Sequence, residues 1–225
     1  MSYSMVHLKI AYELLTRYDG EYISRPGDFL LGCVAPDAVH FHEKYDVSLK
    51  EQSHLWKFGP RWGMTLDSEG WRNAICQFWK ENRNAGNRDF MAGYCVHLLT
   101  DWENDRCIWT PFREKMPQGS EIDRRHEQYG AEAYRFDQWL YQTDQDSKEI
   151  WRLLEQGRAC GVEGCIQEED LVRQKWSLLH EQFTGKALQD ISENQLCTEE
   201  IMKNFLGKCV ESIFCEISPV EERVI

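Results

Sequence analysis

Apolar side chains recur along this chain at helical spacing, and convincing strand alternation is absent. Ser4 stands where a helix cap is expected. Ala11, Leu14, Leu15 and Tyr18 then line one face of a helix running to about Tyr18, with His7 on the same stripe. Ser24-Arg25-Pro26-Gly27-Asp28 is turn chemistry, and the short apolar run from Phe29 to Val34 ends at Ala35-Pro36-Asp37. Residues 38–67 include Gly59, Pro60 and Gly63 and lack a clean period, which predicts an ordered loop with one helical turn near His54. Ser68 caps the next predicted helix, whose inward face holds Trp71, Ile75, Phe78 and Trp79. Asp89 opens a longer helix, Phe90 to about Arg106. Pro111, Pro117 and Gly119 mark an excursion before helical spacing resumes from Tyr129 to Tyr141. Further helices are predicted near 148–156, over 168–184 (Val172, Trp176, Leu179 and Phe183 inward) and over 198–215 (Met202, Phe205, Cys209 and Ile213 inward). The pattern predicts an all-α fold: one compact multi-helix domain over 1–225, with the C-terminal helices at about 148–215.

Length and composition agree with a folded globular chain. Its 225 residues suffice for one sizeable core, and an apolar fraction of 42% with nine tryptophans is a load that disordered chains lack. The formal charge of −12 argues against a long nucleic acid as routine partner. No Lys/Arg run forms a polyanion-binding stripe; Arg124-Arg125 and Lys9 are isolated. Phosphate substrates stay open, because bound divalent cations reverse the local potential. No stretch of about 18 apolar residues predicts a membrane span. No signal-peptide pattern follows Met1, and nine cysteines without a CxxC pair suggest reduced thiols, Cys160 and Cys165 being read as free loop thiols. A cytoplasmic location is expected.

The segment Gly93-Tyr94-Cys95-Val96-His97-Leu98-Leu99-Thr100-Asp101-Trp102-Glu103-Asn104-Asp105 carries the clearest chemistry. His97, Asp101 and Asp105 stand at i, i+4 and i+8, on one helix face that Phe90, Gly93 and Tyr94 turn inward. Burying two carboxylates and an imidazole is costly without compensation, and a divalent cation compensates directly. A buried His–Asp hydrogen bond with a solvent-facing Asp105 is the simpler alternative. His7 and His54 also sit in apolar segments, where a lone histidine is often a satisfied core residue. Asp37 closes an apolar run, where it can also serve as a turn or N-cap residue. His40 and His42 are loop positions, His40 being the better outer-sphere candidate, and His180 is expected to be solvated.

Taken in order, His7, Gly32-Cys33-Val34-Ala35-Pro36-Asp37, Ser53-His54-Leu55 and Gly93 to Asp101 resemble the zinc-dependent phospholipase C family, whose fold is shared with single-strand-specific nucleases. The resemblance covers about residues 4–142, the expected metal-site core. It implies an all-helical fold around two to three zinc ions. Asp37, His54, His97 and Asp101 would hold one ion, and Asp101 would bridge to a second that His7 also binds. The family's downstream histidine pair has no counterpart after His97, so Asp105, His126 and Glu132 are the candidates near a further ion or the substrate. Intracellular bacterial relatives share a pattern matched here by Tyr129, Glu132 and Asp137. In secreted members the processed amino terminus is itself a ligand, whereas six residues precede His7 here.

The implied activity is hydrolysis of a small phosphodiester or phospholipid-like phosphoester. Zinc lowers the pKa of bound water to about 7, and Asp37 would accept the proton of the attacking water as well as ligate metal. Two other readings compete: a non-catalytic helical module that keeps a metal as a staple, and a nucleotide phosphohydrolase of the histidine–aspartate dyad class. The latter needs a His-Asp dipeptide that this chain lacks.

Overall fold

A computed structural model describes residues 3–18, 22–115 and 122–218. The predicted excursion at Pro117 and Gly119 lies outside the described residues, as do the side chains of Arg124 and Arg125. Among the described residues the architecture is all-helical, and no helix is long and apolar enough to cross a membrane.

The centre of the molecule is α5, Arg88–Asn104, with every residue from Asp89 to Asn104 buried. A helix buried all round is ordinarily apolar all round. This one carries His97, Thr100, Asp101, Glu103 and Asn104 into the interior, and that is its distinctive feature. Packed around it are α1 (Ser4–Arg17), α2 (Pro26–Gly32), α4 (Ser68–Asn82) and α10 (Glu199–Ile217). The closest approach is to α2, and two glycines permit it. A methyl group on Gly93 would stand 1.9 Å from the Phe29 carbonyl oxygen, and one on Gly32 would stand 2.1 Å from that of Phe90. Neither backbone can give way cheaply, so a side chain at either position would push the helices apart.

Several boundaries differ from the sequence expectation. The first helix begins at Ser4 itself, with Tyr3 at the cap position, and Asp67 rather than Ser68 caps α4 by accepting from the Gly70 N–H. The predicted loop at 38–67 contains more structure: a 3-10 helix over Ala35–Phe41, then α3 (Val47–Ser53) capped by Asp46. Seven-residue elements have too few turns for a period to show. The predicted apolar run at 29–34 falls largely within α2. Beyond α5 the backbone widens into a π-turn, Asp105–Trp109, before α6 (Thr110–Glu114), and α7 (Ile122–Thr143) follows.

In the C-terminal third, α8 (Ser147–Gln156), α9 (Glu168–Ser177) and a π-turn (Leu178–Gln182) precede α10. The inward face expected for this segment is rotated within α9, while Phe183, beyond the π-turn, is buried as expected. Val172 and Trp176 are half exposed, whereas Leu171, Gln174 and Leu178 are buried. Gln174 donates to the Val34 carbonyl, so a polar residue faces inward and misleads a purely apolar pattern. The face expected for the last helix, Met202, Phe205, Cys209 and Ile213, is the buried one.

Candidate metal centre

Four helical segments each deliver one part of a cluster. α1 contributes His7, the 3-10 helix contributes Asp37, the end of α3 contributes His54, and α5 contributes His97 and Asp101. His7, His54, His97 and Asp101 are at most 2% exposed, while Asp37 faces a cleft.

Each of two histidines is turned by a backbone carbonyl. His97 Nδ1 lies 2.9 Å from the Cys33 oxygen, and His54 Nδ1 lies 2.9 Å from the Lys50 oxygen. A carbonyl only accepts, so Nδ1 carries the proton in both rings and Nε2 presents a lone pair. Those two lone pairs face each other at 3.2 Å. Two acceptors at that distance repel unless a cation sits between them. His54 is further held at its backbone, whose oxygen accepts from Trp71 Nε1 at 2.9 Å.

The carboxylates complete the frame. His54 Nε2 is 3.5 Å from Asp37 Oδ1 and 3.5 Å from Asp101 Oδ2; His97 Nε2 is 4.0 Å from Asp37 Oδ2 and 3.9 Å from Asp101 Oδ2. A tetrahedral zinc with bonds of about 2.0–2.2 Å holds its donors roughly 3.3–3.6 Å apart. Three separations lie close to that spacing, His54–His97 at 3.2 Å and His54 to each carboxylate at 3.5 Å; the two from His97 are longer, at 3.9 and 4.0 Å, and Asp37 turns a different oxygen to each ring. Asp101 turns its other oxygen, Oδ1, toward His7 Nε2 at 3.5 Å. The His7 ring stacks on His97, centroids 3.8 Å apart and nearly parallel, and neither His7 nitrogen has a hydrogen-bond partner. His7, His97 and Asp101 form one potential donor group; Asp37, His54 and His97 form another. A buried imidazole without hydrogen bonds beside a carboxylate suits a cation bound there.

Protonation favours ligation. Burial alone would raise the Asp101 carboxyl, but the adjoining His54 and His7 imidazoles outweigh it and hold it well below the usual range. At Asp37 burial is likewise outweighed, chiefly by Lys50. Burial pushes His97 well below the ordinary imidazole value, with His7 adding to it, and lowers His54, with Lys50 adding to it. Two anions thus face two neutral rings in a nearly dry site.

Sequence reasoning missed Lys50. Its Nζ is 2.8 Å from Asp37 Oδ1 and 3.2 Å from His40 Nε2, and it lies 5.4 Å over the Trp62 ring. Burial disfavours its charge, but Asp37 more than restores it, so the ammonium persists. One signal was available: Lys50 stands four residues before His54, on the same helix face. The orienting carbonyls of Cys33 and Lys50 leave no side-chain signal.

The remaining candidates divide. His40 lies 3.6 Å from Asp37 Oδ1 at the cluster's outer edge. Asp105 and His126 share with Asp101 a cavity of about 20 Å³, room for one water-sized occupant, but join neither donor group. Burial raises the Asp105 carboxyl, whose Oδ2 accepts from Thr110 Oγ1 at 3.3 Å. Glu132 is taken elsewhere. Its Oε2 accepts from the backbone N–H groups of Gln195, Leu196 and Cys197, and its Oε1 accepts from Gln128, so it pins a C-terminal loop. Asp137 accepts from the Val6 N–H and caps α1. His42 pairs with Asp170 away from the cluster, and His180 is exposed. Cys160 and Cys165 are free thiols.

No family model, curated protein or solved structure matches this chain. The reading of the centre rests on its own geometry.

At Asp37 the centre opens on a cleft. Asp37, His40 and Lys50 line a cleft of about 560 Å³ together with Tyr45, Trp62 and His126. The volume is in the range of small-molecule sites.

Proposed function

We propose that the chain is a zinc-dependent hydrolase of small phosphoesters, with Asp37, His54, His97 and Asp101 holding one ion and His7 and Asp101 serving a second. The observation that carries this reading is a pair of carbonyl-oriented imidazoles, His54 and His97, whose Nε2 lone pairs meet at 3.2 Å between two carboxylates, one of which, Asp37, borders a substrate-sized cleft. When bound, zinc supplies Lewis acidity, which acidifies a ligated water and offsets phosphate charge.

The chain's own residues do the rest. His54 and His97 arrive neutral and pre-oriented, so ligation needs neither deprotonation nor ring rotation. Asp37 borders the cleft and is the carboxylate that meets an attacking water. Lys50 holds its carboxyl low, which fits Asp37 to orient that water through an accepted hydrogen bond more than to retain its proton. Lys50 itself, a persistent ammonium at the cleft wall, attracts the phosphate. Tyr45 and Trp62 line the cleft and limit it to a small substrate.

A second reading rests on one observation. Four protein donors around one ion would fill a tetrahedron, which is the arrangement of a structural staple, whereas catalytic zinc keeps a position open. In the proposed enzyme His7 and Asp101 would hold a second ion with fewer protein donors, so metal count separates the readings. Purified protein should carry two or more zinc equivalents and hydrolyse a chromogenic phosphoester in a chelator-sensitive manner. One tightly held zinc, a chelator-sensitive melting temperature and no turnover on phosphomonoesters or phosphodiesters would establish the staple instead.

A further inference from the structure

The sequence shows no basic run, yet the fold gathers four cations around one groove. Arg72 and Lys80 come from α4, Arg83 from the residue that follows it, and Arg88 from the first position of α5. They line a groove of about 620 Å³ where, among the described residues, the single acidic one is Glu216 of α10. That carboxylate is already engaged, by Arg72 Nη2 and by the Cys76 thiol.

Lys80 and Arg83 are exposed and have no ion-pair partner among the described residues. Their own helix offers none. The residues three and four positions from Lys80 are Cys76, Gln77, Arg83 and Asn84; those around Arg83 are Trp79, Lys80, Gly86 and Asn87. The nearby Glu81 carboxylate accepts from the Gln77 amide. Like charges three apart on a helix repel, and here nothing on the helix offsets them. In a chain of net charge −12, acids were abundant enough to neutralise this face. Arg88, by contrast, is fixed in place: Nη1 donates to the Tyr22 carbonyl, and the guanidinium lies 4.1 Å over the Tyr22 ring. A guanidinium held this way loses little freedom on binding an anion. Asn73, Asn84 and Ser218 add neutral hydrogen-bonding groups to the walls.

We propose that this groove is a binding site for a compact polyanion bearing two or more phosphate-type charges. The groove has the size of a small-molecule site, and the acidic remainder of the chain opposes a longer anion running beyond it. It shares no lining residue with the metal donors. Arg88 and His97 are nine residues apart on α5, so about 14 Å separates them along the helix axis.

The test is isothermal titration of the full chain with sodium tripolyphosphate, alongside Lys80→Glu/Arg83→Glu, the milder Lys80→Gln/Arg83→Gln and Asp37→Asn. The expected result is saturable binding that weakens with added salt. It should weaken roughly tenfold or more in both groove variants, the loss of two charge-assisted contacts, and persist in Asp37→Asn. Zinc content and helical circular dichroism should be unchanged in the groove variants; should the glutamate variant misfold, the glutamine variant decides. Absent binding at millimolar tripolyphosphate, or equal affinity in wild type and the glutamine variant, would overturn the site. A single-stranded oligonucleotide that binds more tightly than tripolyphosphate through the same two residues would overturn the choice of a compact ligand.

Discussion

Asp101 and Glu132 are each 2% exposed, each on a long helix beside apolar residues, and each looks from the sequence like a metal ligand. Their surroundings differ entirely. Around Glu132 the chain supplies its own donors: three consecutive backbone N–H groups from 195–197 converge on one oxygen. The Gln128 amide together with those backbone bonds outweighs burial and holds its carboxyl low. Around Asp101 the neighbours are imidazoles at 3.5–3.9 Å, longer than good hydrogen bonds, and one of them, His7, lacks a hydrogen bond at either nitrogen. Burial of a carboxylate thus says only that it is compensated. What distinguishes a cation site is a set of acceptors aimed at one another.

The largest effect should come from exchanging the roles. Asp101→Asn should abolish zinc retention and any chelator-sensitive hydrolysis. The loss should exceed the roughly 10–100-fold that removing an outer-sphere partner costs. Plasma emission analysis of metal content checks it, and a variant that keeps full zinc would break the comparison at its first limb.

Gly93→Ala comes next. The added methyl has no room against the Phe29 carbonyl, and overpacking of this kind costs about 1–3 kcal/mol or more. The melting temperature should fall and zinc affinity with it, since the strain lies one turn from His97.

Glu132→Gln should leave zinc stoichiometry intact while costing about 1–3 kcal/mol, through weakened charge-assisted bonds to the 195–197 backbone. At roughly 2–4 °C per kcal/mol for a chain this size, thermal melts resolve it. Loss of a zinc equivalent would return Glu132 to the cluster.

The two carboxylates' neighbours also titrate. Asp37, Asp101, His54 and His97 all have folded pKa values below their ordinary ones. Each therefore binds fewer protons folded than unfolded in the interval between its two values, so unfolding free energy rises with pH there. Their contribution is present above the unfolded values, near 6.5 for the imidazoles and about 4 for the carboxyls, and disappears as pH falls through the folded ones. Melts of chelator-treated protein should drop steadily below about pH 6.5, less steeply in His97→Gln.

The smallest predicted effect concerns Leu55, which follows His54 with φ of 52°. A side chain in the left-handed region costs about 1–2 kcal/mol. Leu55→Gly should recover part of this, offset by lost packing, for a net change within about 1 kcal/mol and no change in zinc content.

These residues also show what a sequence reveals. His97 and Asp101 are one turn apart on one helix, so their pairing was readable from spacing alone. That His54 meets His97 nitrogen to nitrogen, across 43 positions of chain, follows from how α3 ends and from no local pattern. Lys50 was hidden because a lysine in a segment read as loop looks like a surface charge. Glu132 was misplaced because its partners are backbone N–H groups, which every residue but proline carries. The basic groove escaped notice for a related reason: Arg72, Lys80, Arg83 and Arg88 are dispersed through 17 positions and converge only once α4 and α5 pack.

The carbonyl of Cys33 that orients His97 has a further consequence, for inheritance. A backbone oxygen cannot be removed by changing a codon, so a small residue at position 33 keeps the acceptor for His97 and gives up only the Cys33 thiol's bond to the His7 carbonyl. The vulnerability is displaced onto Gly32 and Gly93, which never touch the proposed ion. In a saturation library those two glycines should tolerate fewer alternatives than position 33, and a survey that scored only direct contacts would miss where selection acts.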